Sequence, residues 1–174
     1  MTIRNFWSLE CGEVLTAETI SNYFKKIPDV EIYFPLHDVG IDLLVVRGKH
    51  HVSIQVKESR YYKIRDLKGS KGHSWHQVAR KKFLRGLNKI DFYVFLTYIP
   101  KIREHKLSSF DKKFLVVPTS KLANLIRDKP FGKKEIYSFY FNFGDDKIIE
   151  KRNELTDYSE YLDRWEFIEE KLRE

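Results

Sequence analysis

The sequence predicts an α/β fold in the order αβββαβ, followed by β-α-β-β-α, and three stretches carry that expectation. Leu43 to Val46 is a continuous apolar run, the mark of a strand buried on both faces. Asp91 to Ile99 (Asp-Phe-Tyr-Val-Phe-Leu-Thr-Tyr-Ile) reads as a second buried strand, ended by Pro100. Between Ser8 and Ile27 the apolar residues recur at helical spacing, with Ser8 as N-cap and Pro28 as the stop. With 174 residues, 42% of them hydrophobic, one globular domain over residues 1–174 is expected, large enough to need no covalent staples. Residues 8–99 form its core and 100–174 a C-terminal elaboration.

In the first helix Ala17, Ile20, Phe24 and Ile27 cluster on one face at 100° per residue. Glu13 falls in the middle of that face, Glu10 near its edge and Glu18 opposite. Glu31 to Pro35 reads as a short strand. The next two strands form a hairpin around Gly48-Lys49, glycine standing in the first central position that a type II′ turn favours. That loop sets a register in which Asp42 lies across from Gln55, with Lys57 on the same face. Ile41, Leu43, Val45, Val52, Ile54 and Val56 then line the opposite, core face.

Glu58 to Ser74 is polar and basic with two glycines and reads as a loop. Trp75 to Leu87 is expected to be helical, with Gln77 just inside it, and Lys101 to Asp111 a polar link. Phe114 to Val117 is a further strand, and Thr119 caps a short helix to Asp128. Ile136 to Phe143 and Lys147 to Lys151 suggest a hairpin, and Asp157 to Leu172 an amphipathic, acidic helix whose apolar stripe is core.

The net charge of +7 is concentrated. From Lys57 to Lys89 eleven basic residues face two acidic ones, a local +9, which leaves the remainder mildly acidic. Such a segment suits a polyanion-binding face, although a solvated lysine-rich loop has the same composition. The single cysteine, Cys11, excludes an internal disulfide and fits a reducing cytosol, so a cytoplasmic location is expected. No signal-peptide core and no run of ~20 apolar residues is present, which argues against export or a membrane span.

Burying Asp42 at the head of an apolar strand is costly unless something pairs with it or coordinates it. Phosphodiester hydrolysis requires a hard divalent cation on oxygen ligands, an activated water and a cation near the developing phosphorane charge. Asp42 and Glu13 can supply carboxylates, Gln55 a side-chain oxygen and Val56 a backbone carbonyl. Lys57 can orient the water or neutralise the phosphate. A strand-end lysine can equally be solvated, and Glu13 can serve a structural ion pair. His73 and His76 lack further ligands at metal-binding spacing, so they line a groove or pack the loop.

With Gly40-Ile41-Asp42 on the second strand and Gln55-Val56-Lys57 on the third, the chain resembles the PD-(D/E)xK restriction-endonuclease-like superfamily. Its pattern is most similar to Mrr-type and related small uncharacterised nuclease-like families. The resemblance spans roughly Ser8 to Ile99. It implies an αβββαβ core with a central mixed sheet flanked by helices, and a metal-dependent nuclease using Mg²⁺ or Mn²⁺. Asp42 would be the metal-binding Asp, Gln55 would take the (D/E) position, Lys57 would be the catalytic Lys, and Glu13 would match the acidic residue of the first helix. Gln55 departs from the commoner Glu and removes a negative charge, which keeps a non-cleaving binding module open as the alternative. DNA is the expected partner, gripped at its phosphates by Arg60, Lys63, Arg65, Lys68, Lys71, Trp75, Arg80 and Lys81. One site cuts one strand, so a double-strand break calls for a homodimer or two nicks.

Overall fold

A computed structural model describes residues 9–37, 40–62, 73–103, 106–127, 129, 131, 134–144, 147–150 and 156–174. Its frame is a mixed sheet of order β1-β2-β3-β6-β7. The strands are β1 (Val30–Tyr33), β2 (Leu43–Arg47), β3 (His50–Tyr62), β6 (Phe92–Arg103) and β7 (Lys106–Pro118). β3 runs parallel to β6, and the other neighbours are antiparallel. The expected αβββαβ core is present, with two short strands, β4 (His73–Ser74) and β5 (His76–Ala79), inserted before helix α2 (Arg80–Gly86).

Helix α1 (Cys11–Phe24) buries Glu13, Ala17, Ile20 and Phe24 and leaves Glu10 and Glu18 exposed, so the expected phase holds. It starts later than expected because Glu10 takes the N-cap position; Ser8 lies outside the described residues. The hairpin register is the expected one, Leu43 facing Ile54 and Val45 facing Val52. Gly48 has φ +59°, a conformation in which glycine carries no Cβ penalty. Leu43, Val45, Val52 and Ile54 are fully enclosed beneath α1 and helix α4 (Glu166–Lys171). Ile41 departs from that set and packs on the other side of the sheet, because β2 begins only at Leu43 and the chain bends at Gly40, φ +85°.

Alternation of the pleat divides the core in two. Val56, Val94, Leu96 and Val116 face α1 and α4. Tyr93, Phe95, Leu115 and Val117 face a second layer made of β5, α2, α3 (Thr119–Leu125), β8 (Ile136–Phe139), β9 (Phe141–Phe143) and β10 (Ile148–Glu150). β5 pairs with β8, while β9, β10 and β11 (Thr156–Asp157) form a small antiparallel sheet.

Several expectations are corrected. β3 continues through Tyr62 where a loop was expected, because β6 supplies a partner as far as Arg60 and β4 pairs with Tyr61 and Tyr62. The expected helix over Trp75 to Leu87 is a strand as far as Ala79. Ser74, His76 and Val78 are buried in alternation, a period of two that the polar identity of the first pair disguises. Gln77 accordingly sits exposed on β5 rather than inside a helix.

Pro100 does not end β6, which continues to Arg103 against β7, and the expected link is part of a long hairpin. β3 stops pairing with β6 at Tyr98, so Pro100 stands in edge-like surroundings where a missing N–H is tolerated. Thr119 is the first helical residue rather than the cap, which is Pro118. The C-terminal stripe is core as expected, but the segment is not one helix. Tyr158 and Tyr161, by a single 3₁₀ turn, pack in the second layer, whereas Trp165, Ile168 and Leu172 pack with α1. Among the described residues no helix is long and apolar enough to cross a membrane.

Candidate active site

Beyond Ile54, β3 parts from β2, and from Gln55 to Arg60 its ladder neighbour among the described residues is β6. The backbone groups on its open edge therefore need other partners. Asp42 supplies one, its main-chain N–H donating to the Ile54 carbonyl at 2.8 Å while its Oδ2 accepts the Val56 N–H at 2.8 Å. The same Oδ2 accepts the Gln55 side-chain amide, whose Nε2 also lies 3.4 Å from the Val56 carbonyl. Asp42, Gln55 and the Val56 main chain are thus gathered at the fork, in the register set by the turn at Gly48-Lys49. The Asp42 charge also reaches Tyr93, whose hydroxyl pKa is raised, by burial first and by Asp42 second.

Gln55 and Lys57 project on the pleat of Tyr93 and Phe95, with which they pair in parallel register, and both are half-buried. Glu13 is buried on the inward face of α1. The first turn of α1 meets β3 just past the fork: a Cβ on Gly12 would lie 2.5 Å from Glu58 Oε2 and 3.0 Å from Glu58 Cβ. A side chain at residue 12 would push the Glu58 side chain aside, and Glu58 is held in turn by the Tyr98 hydroxyl at 2.9 Å. Sequence reading did not single out Gly12 or Glu58. A glycine one residue before an inward-facing carboxylate was the available signal.

His76, expected to line a groove or pack a loop, is packed in the interior. It is 1% exposed, its ring lies against Phe95 and Phe141, and its Nε2 is 3.1 Å from Thr97 Oγ1. Burial lowers its pKa to about 3; the Lys57 main chain works in the opposite sense, and the Lys57 charge adds to the lowering. The imidazole is therefore neutral at physiological pH and belongs to the packing behind Lys57.

The anticipated basic face is only partly within the described residues. Lys63, Arg65, Lys68 and Lys71 lie outside them. Arg60 and Lys81 are exposed, and Trp75 is 43% exposed. Arg80 is engaged at the start of α2, 3.8 Å from Glu135 and 4.8 Å above the Phe131 ring.

Among the described residues no three His, Cys, Asp or Glu side chains converge as a metal cluster. A cation at the fork would rest on Asp42 together with the Gln55 amide oxygen and the Val56 carbonyl, all hard oxygen donors. That donor set suits Mg²⁺ or Mn²⁺ and excludes a thiolate or imidazole zinc centre. As it stands the amide turns its NH₂ to Asp42, and half a turn about its last torsion exchanges donor for acceptor.

The mixed sheet, whose hairpin forks around a carboxylate with an amide and a lysine on the strand beyond, is an α/β arrangement consistent with a nuclease-like fold. Among solved structures the chain is similar to a bacterial homing endonuclease, I-Ssp6803I, with a TM-score of 0.50 and 20% identity. The likeness covers 92% of this chain and 90% of that one, so it extends through both layers. No protein-family profile matches the sequence, and no curated protein does.

Proposed function

We propose that the chain is a metal-dependent endonuclease of the PD-(D/E)xK type that hydrolyses phosphodiester bonds in DNA. The observation that carries the reading is the fork itself. It places a carboxylate, an amide and a backbone carbonyl at one point, with Lys57 one residue further along the same strand. The likeness to a homing endonuclease supports it at the level of the fold.

In this reading Asp42, Gln55 and the Val56 carbonyl would hold a divalent cation, with Glu13 as a further carboxylate from the first turn of α1. A bound Mg²⁺ or Mn²⁺ would supply positive charge at the scissile phosphate and would favour ionisation of the attacking water. Lys57 orients that water or neutralises the charge that develops as the phosphorus–oxygen bond breaks. Arg60 and Lys81, with the basic residues Lys63, Arg65, Lys68 and Lys71, neutralise flanking phosphates, so affinity falls steeply with salt. One site cuts one strand, and two copies or two successive nicks make a double-strand break.

A neutral Gln55 that donates to Asp42 favours one second reading, a nucleic-acid-binding module that does not cleave. Supercoiled plasmid incubated with Mn²⁺ separates the two. The wild-type protein is expected to nick it, and Asp42→Ala to lose at least ~100-fold in rate, the scale of a lost catalytic group. Binding with no cleavage supports the module, and cleavage that survives Asp42→Ala rejects the site.

A further inference from the structure

Further along β3 from the fork, tied to Ser59, stands a pair of aromatic rings that the proposed hydrolytic site does not use. Trp75, between β4 and β5, lies parallel to Tyr140, between β8 and β9, with 4° between the rings and 6.3 Å between centroids. His73 meets Tyr140 edge-on at 5.3 Å. The neighbours of these residues point the other way: Ser74 and His76 are buried on one side, Phe139 and Phe141 on the other. Trp75 and Tyr140 are thus the outward members of two alternating segments, and Trp75 keeps 43% of its surface in water.

Both rings hang from main chain that is tied down. The Trp75 N–H donates to Ser59 Oγ at 3.0 Å. The Tyr140 N–H donates to Glu150 Oε1 at 3.1 Å, and Glu150 is fixed by Lys129 in an almost fully buried ion pair at 2.5 Å. A large aromatic surface held rigid and left wet is ill-explained as packing. It is well suited to stacking, because little side-chain entropy is lost when a flat ligand settles on it. Its anchor, Ser59, is two residues beyond Lys57 on β3, roughly 6.6 Å along the strand. That is about two stacked-base spacings of ~3.4 Å. Arg60, exposed on the adjoining residue, brings positive charge to the same end of β3.

We infer that Trp75 and Tyr140 form a stacking platform for an unpaired base close to the scissile phosphate, so that the enzyme prefers DNA with single-stranded character over continuous duplex. The π-face of a base is buried within a duplex and offered only by an unpaired or extruded nucleotide. This inference rests on the nuclease reading for its substrate, but its test does not depend on cleavage.

The full-length protein in EDTA is titrated with a twelve-nucleotide oligo-dT and, separately, with a blunt duplex of the same length. Anisotropy and tryptophan fluorescence are both followed. Wild type should bind the oligo-dT with quenching of its tryptophan emission. Trp75→Ala should weaken that binding about tenfold or more, and duplex binding several-fold less than that. Trp75→Phe should keep most of the affinity and lose the quenching, and Tyr140→Ala should lose less than Trp75→Ala. Equal losses on single strand and duplex, or no loss with Trp75→Ala, would overturn the platform. Failure of the hydrolytic site shows separately, as plasmid cleavage that survives Asp42→Ala.

Discussion

The β2–β3 hairpin and the β5–β8–β9–β10 layer flank the same strand, β6, yet the layer buries more polar residues than the hairpin. The hairpin seals Leu43, Val45, Val52 and Ile54 inside and brings Asp42 and Gln55 together at the fork where β2 and β3 separate. The second layer carries polar groups in its interior: Ser74, His76, Ser138, Asn142 and Glu150 are all buried. In the hairpin Ser53 is buried against Lys89 and Asp91, while Gln55 and Lys57 are half-buried at the fork and beyond it. In the layer the buried polar residues serve the protein, holding the backbone from which Trp75 and Tyr140 project. Burial of a titratable group therefore does not by itself mark a candidate site: Asp42 and Glu150 are both buried, and it is Asp42 that stands at the fork.

Replacing one lysine in each region is the sharpest way to break this comparison. Lys129→Met leaves Glu150 as a buried charge deprived of its ion pair, and should cost about 3–5 kcal/mol, read from urea unfolding. Lys57→Met should lose at least ~100-fold in plasmid nicking and change stability by less than about 1 kcal/mol. If the two variants exchanged these phenotypes, the division between the regions would be wrong.

A smaller effect sharpens the comparison from the acid side. His76 has its pKa lowered in the folded chain, from an ordinary 6.5 to about 3, because it is buried. The unfolded chain takes up a proton below about pH 6.5, while the folded one does not until near pH 3. Stability should therefore be complete above that upper value and fall with acid, by about 1.4 kcal/mol per pH unit from this residue alone. His76→Gln should flatten that slope between pH 6 and 4, as followed by thermal unfolding. A slope unchanged by the substitution would mean that other groups dominate acid sensitivity.

The same contrast explains what was legible in the sequence. The hairpin obeys binary patterning, its turn residue fixes the register, and the register places Asp42 beside Gln55; all of this is local. The helix phase of Glu13 is equally local. The second layer is not. Ser74, His76 and Val78 alternate inward, but two of the three are polar, so the strand reads as the start of a helix or a loop. The continuation of β3 past Lys57 depends on β6 and β4 lying alongside, partners set by tertiary contacts rather than by the strand itself. Gly12 is of the same kind, since its meaning comes from Glu58 on a different element.

The central claim is that the fork holds a divalent cation through Asp42 and Gln55. Calorimetric titration of Mn²⁺ into wild type, Asp42→Ala and Gln55→Glu tests it most directly, because it reads binding without requiring a substrate. The account predicts one site in wild type, loss of that site in Asp42→Ala, and tighter binding in Gln55→Glu, where a second carboxylate joins the donor set. Indistinguishable Mn²⁺ isotherms for all three proteins would contradict it.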